Sequence, residues 1–93
     1  MTTHFVKIQP LYFEGIISGS KPFELRYNDR KYKVGDCVCL QECIVSGESP
    51  FKHEVYTNRC CYVLIKDIYN LNLIDSKFDN YIIFTFYILR IIK

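Results

Sequence analysis

Ninety-three residues, 49% hydrophobic and 24% charged, suffice for one domain (1–93) with one core and are too apolar for a disordered chain. A net charge of +2 excludes a broad polyanion-binding surface, so any contact with nucleic acid must come from a local site. Alanine is absent and β-branched or aromatic residues make up 37 of the 93, which favours pleated sheet over helix. In chain order, residues 4–8 (HFVKI) read as a first strand and 10–18 (PLYFEGIIS) as a short helix. Pro10 suits the first helical position, Phe13, Ile16 and Ile17 share a face, and Gly19 stands where a left-handed residue ends a helix. Pro22 forbids continuation. From Phe23 the period becomes two, with Phe23, Leu25 and Tyr27 on one face and Glu24, Arg26 and Asn28 on the other. Asn28, Asp29, Gly35 and Asp36 supply turn chemistry before a second alternating run, 37–44 (CVCLQECI). Residues 46–52 are a loop, and strands near 54–66 and 80–92 flank the polar stretch DIYNLNLIDSKFDN. The last strand is apolar on both faces, as a central or barrel-closing strand would be. About five strands and an early helix predict a mainly β (α+β) domain built as a small closed barrel, since closure disposes of edge strands.

Other function classes find no support. The opening MTTHFVKIQP has no charged region followed by an apolar one, so it predicts a cytoplasmic rather than a secreted protein. The longest apolar stretch, Tyr81 to Leu89, falls short of the about 20 residues a spanning helix needs, so no membrane contact is expected. The five cysteines are then expected as reduced thiols. Cys37, Cys39 and Cys43 on one strand, and adjacent Cys60 and Cys61, lack the paired spacing of a zinc site, so no metal is expected. Glycines 15, 19, 35 and 47 form no phosphate loop, His4 and His53 are isolated, and no cofactor motif occurs.

The residues that carry chemistry cluster in GSKPFELR. Glu24 and Arg26 are two apart on a strand and share a face, with Lys21 at its mouth. Two explanations stand. The face is either solvated, with an ion pair worth at most about 1 kcal/mol, or it points into a cleft between helix and sheet, where cation and carboxylate grip a polar planar ligand.

The run HFVKIQPLYFEGIISGSKPFELRYNDRKYKVGDCVCLQE resembles the ASCH domain family of the PUA-like superfamily. That family's signature of Gly, any residue, Lys, two residues, Glu, any residue, Arg is met by Gly19, Lys21, Glu24 and Arg26. The chain looks closer still to a small ASCH-related bacterial and phage family of unknown function. Lys7, Ile8, Pro10, Tyr12, Phe13, Phe23, Asn28, Asp29, Arg30, Val34, Gly35 and Asp36 match it, and Tyr56, Thr57 and Arg59 are similar to its Y-T-G-R with Asn58 in place of glycine. The resemblance covers roughly 4–86, specifically in its first half and loosely in its second.

It implies a PUA-like barrel of five to six strands whose N-terminal helix lines a cleft, and a domain that binds RNA or a modified nucleoside. Lys21, Glu24, Arg26, Asn28, Arg30, Tyr12, Tyr56 and Arg59 are the candidate binding residues, and Tyr27 and Tyr32 are further candidates for stacking. One ASCH branch consists of amidohydrolases that deacylate N4-acetylcytidine, which makes Lys21 and Glu24 catalytic in the alternative reading. A lysine can act so when partial burial or a neighbouring cation such as Arg26 holds it neutral. That branch's threonine nucleophile is replaced here by Glu24, and nothing selects among Glu42, Glu48 and Glu54 for its later glutamate. A protein-interaction module using the KPFELR face is a second alternative.

Overall fold

In the computed structural model, which describes residues 1–93, the elements run β1 (Thr3–Ile8), α1 (Pro10–Ser18), β2 (Phe23–Tyr27), β3 (Cys37–Ser46), β4 (His53–Asn70) and β5 (Tyr81–Ile92). Two 3₁₀ turns, Leu71–Leu73 and Ser76–Phe78, join β4 to β5, so β4 extends four residues into the polar stretch expected to connect them. Pro10 occupies the first turn of α1, and Gly19, at φ +83°, donates its N–H to the Ile16 carbonyl to close the helix. No helix of the chain is long and apolar enough to cross a membrane.

The five strands form one sheet in the order β1-β3-β4-β5-β2, in which β1 runs parallel to β3 and every other pairing is antiparallel. The inward faces of four strands are apolar: Val6 and Ile8, Val38 and Leu40, Cys61, Val63 and Ile65, Ile82 and Phe84. They meet Phe13 and Ile16 of α1, and each of these residues is at most 4% exposed. Burying a side chain of this size stabilises the fold by about 1.5–3 kcal/mol, so this layer is where the domain's stability originates.

The expected closed barrel of five to six strands does not form. β1 and β2 are the two ends of the sheet and do not pair. Instead the Arg26 guanidinium spans the gap, with Nη2 donating to the Lys7 carbonyl at 2.8 Å in the place of a ladder hydrogen bond. The reason lies in β2. Its inward residues Glu24 and Arg26 sit opposite Phe84 and Ile82, so the sheet turns an ionic pair toward the core side. A backbone ladder drawn shut over those charges would strip them of water at a cost of several kcal/mol per ion. An open seam satisfies them.

Candidate functional site

The seam is built by three neighbouring elements. The end of α1 delivers Lys21: its N–H donates to the Gly15 carbonyl at 2.9 Å. A Cβ at Gly15 would lie 3.1 Å from that of Lys21, so the close approach depends on glycine. β2 delivers Glu24 and Arg26, and β1 supplies the opposite wall with Lys7 and Ile8. Between them lies a pocket of about 420 Å³ lined also by Tyr12, Phe23 and Tyr27, a volume in the range of small-ligand sites.

Glu24 is the pivot. Its side chain is 3% exposed and accepts from Lys21 Nζ at 2.6 Å on one oxygen and from Arg26 Nε at 2.8 Å on the other. The Lys21 ammonium also lies 4.8 Å from the Tyr12 ring centroid and 5.6 Å from that of Phe23, distances at which cation–π attraction holds it in place. Each cation keeps donors in reserve. Lys21 spends one of three N–H groups on Glu24, while Arg26 spends Nε and one Nη2 hydrogen and leaves Nη1 without a protein partner. The arrangement therefore presents spare donors against a wall of half-exposed aromatic rings (Tyr12 46%, Phe23 39%, Tyr27 50%). The apolar face of β2 is thus outermost, and the charged face is the buried one.

The structure brings Lys21, Glu24, Arg26 and Tyr12 together and places Arg30 in an adjoining chamber with Tyr32. Asn28 serves the turn: its side-chain oxygen accepts from the Tyr32 N–H at 2.9 Å. Tyr56 and Arg59 line a separate pocket of about 450 Å³ with Glu42 and Asn58. Lys7, Gln9, Phe23 and Leu25 complete the seam pocket. Sequence reasoning placed Phe23 and Leu25 only on the KPFELR interaction face and assigned Lys7 and Gln9 to no site, although Lys7 and Phe23 stand among the residues that carry the family resemblance.

The second pocket rests on an irregularity of the β3–β4 ladder. Gln41 pairs with Cys60 and Cys43 with Tyr56, so Glu42 alone faces Thr57, Asn58 and Arg59. The excess residues bulge, Asn58 takes φ +69°, and the side chains on either side of it turn onto Glu42. Glu42 accepts from Thr57 Oγ1 at 2.6 Å and from Arg59 Nε at 2.8 Å and Nη2 at 2.6 Å, and Arg59 also reaches Glu14 on α1 at 2.6 Å. The Arg59 guanidinium, with help from Thr57, holds the Glu42 carboxyl below its ordinary range. Glu42 is 2% exposed, which singles it out from Glu48 and Glu54. The signal that could have found it is the asparagine in a glycine position, since asparagine tolerates the left-handed backbone that a bulge demands.

Four of the five free thiols, all but Cys60, are buried. Burial pushes Cys39 and Cys61 up to about 11, so these behave as small core side chains.

Compared with known proteins, residues 3–86 match a family model described as a domain of unknown function, DUF3850. No curated protein matches the chain.

Proposed function

The chain belongs to the DUF3850 family of domains of unknown function, and from the chemistry of its seam we propose that it is an RNA- or nucleoside-binding domain of the PUA-like kind that seats one base over Lys21, Glu24 and Arg26. The observation that carries this reading is a carboxylate withdrawn from solvent between two cations whose spare donors face an aromatic-walled pocket. A nucleobase edge offers carbonyl and ring-nitrogen acceptors to Lys21 and Arg26, and its face stacks on Tyr12, Phe23 or Tyr27. Glu24 acts by holding both cations in place; ligands meet the donors it orients. Near-neutral overall charge agrees with recognition of a single base rather than of a long backbone.

Binding without turnover is favoured over hydrolysis of an acylated cytidine by one feature of the lining. No serine, threonine or cysteine borders the pocket, so the threonine nucleophile of the amidohydrolase branch has no counterpart among its walls. Titrating ¹⁵N-labelled protein with ribonucleosides, N4-acetylcytidine and short single-stranded RNAs tests both readings. Binding should shift the amide resonances of β2 and the start of α1 without consuming the acetylated nucleoside, and Lys21→Ala and Arg26→Ala should each weaken it about tenfold, the loss of one good polar contact. Shifts confined to other parts of the chain, or none at any concentration, would sink the binding site; deacetylation that disappears in Lys21→Ala would replace it with the amidohydrolase.

A further inference from the structure

The seam does not end at its first pocket. A second chamber, about 270 Å³, continues past Arg26 and shares Lys7, Arg26 and Tyr27 with the first. Its new walls are Val6, Asp29, Arg30 and Tyr32. Arg30 stands on an exposed turn and enters none of the chain's ion pairs, so both ends of its guanidinium are available to a ligand.

Tyr32 supplies the independent sign. It is only 5% exposed, with its ring packed 4.8 Å from His4 and 5.6 Å from Phe84. Its backbone N–H is held by Asn28, yet no protein group bonds its hydroxyl, the one polar atom this side chain has to offer to the chamber it lines. Burial pushes this phenol up, and Arg26 and Arg30 line the same chamber. Lys7, Arg26 and Arg30 set three cations against the single carboxylate of Asp29 in this lining, and of the three only Arg30 has no carboxylate partner.

We propose that the second chamber is a phosphate subsite: Arg26, Arg30 and the Tyr32 hydroxyl hold the phosphate of a nucleotide whose base occupies the first pocket. Planar guanidinium groups meet phosphate oxygens two at a time, and the hydroxyl of a largely buried tyrosine, itself open to solvent and free of protein partners, completes a cradle for a tetrahedral anion. The inference rests on the base-binding reading and narrows it from a nucleoside to a phosphorylated one. The same chemistry serves a free nucleotide and an internal phosphate of an RNA strand.

Calorimetric titration with the common ribonucleosides, their 5′- and 3′-monophosphates and the matching dinucleoside monophosphates tests the subsite, using the wild type, Arg30→Gln and Tyr32→Phe. The phosphorylated form of whichever nucleoside binds should bind about tenfold tighter than the nucleoside, one charge-assisted contact's worth. Arg30→Gln should bring that ratio close to 1, and Tyr32→Phe should lower it by a smaller factor. A gain with dinucleoside monophosphates alone identifies an RNA strand as the source, and a gain with monophosphates alone a free nucleotide. A nucleoside that binds as well as its phosphates, or a ratio that survives Arg30→Gln, overturns the subsite and leaves base binding standing. Failure of nucleosides and nucleotides alike overturns both.

Discussion

Replacing Glu24 by Gln keeps the volume of the side chain and removes the one anion between Lys21 and Arg26. The Glu24 side chain is 3% exposed, and those of Lys21 and Arg26 are 22% and 21% exposed. Removing one partner of a fully buried pair costs about 3–5 kcal/mol, because the charge left behind stays desolvated. Here the stranded groups are cations with about a fifth of their surface in water, which returns part of that cost and leaves an expected loss of about 2–3 kcal/mol. In a domain of this length each 1 kcal/mol moves the thermal midpoint by about 4–8 °C, so the midpoint should fall by about 10–20 °C. Thermal and urea unfolding followed by circular dichroism measure it, with Lys7→Met as the control, since the Lys7–Glu54 pair joins exposed side chains (49% and 31%) and its loss should leave the midpoint nearly unmoved. Adding Lys21→Met to Glu24→Gln should recover part of the loss, because one unpaired cation then leaves with the anion. A Glu24→Gln midpoint indistinguishable from that of Lys7→Met would refute the assignment of Glu24 as a buried counter-ion, and with it the electrostatic account of why the seam stays open.

Glu42 predicts a pH signature. Its folded carboxyl titrates below the ordinary value of about 4.3 because Arg59 and Thr57 bond it, so its contribution is fully present above that value and lost as pH falls through the lower, folded one. Glu42→Gln should therefore flatten the acid limb of a stability–pH curve below about pH 5, while the part due to Asp36, held low by its bond to His4, persists; an unchanged limb refutes the role given to Glu42. At the bulge, Asn58→Gly should unfold in urea within about 0.5 kcal/mol of the parent, whereas Asn58→Ala should lose about 1 kcal/mol, the cost of a left-handed backbone for a residue with a Cβ and no local bond to offer. Equal losses from the two would show that the asparagine side chain, and not its backbone conformation, matters there.

Local rules made much of this protein legible from its residues. The helix from Pro10 to Ser18 follows from a proline at its start and a glycine past its end. The strand after Pro22 follows from alternation, and its start held to the residue because proline leaves little freedom on either side. Clustering of Lys21, Glu24 and Arg26 was also visible, since spacing on a strand decides which side chains share a face.

Which way that face points was not decided by spacing. Phe23, Leu25 and Tyr27 are the side a pattern reading assigns to the interior, yet they are the exposed ones, because inwardness depends on where β5 and α1 place the core. Closure was equally out of reach: the sequence supplies edges with strong β propensity, but only the assembled sheet sets β1 and β2 a side chain apart with charge between them. Tyr56 and Arg59 join the seam residues as binding candidates only through the family resemblance, and in the fold they line another pocket beside the bulge at Asn58. Sequence alone determined the elements and the kinds of charge they carry, because backbone preference and periodicity act within a few residues. Tertiary structure decided which charges are buried, which strands stay unpaired and which pocket each side chain enters, because those depend on the desolvation of groups brought together from distant parts of the chain.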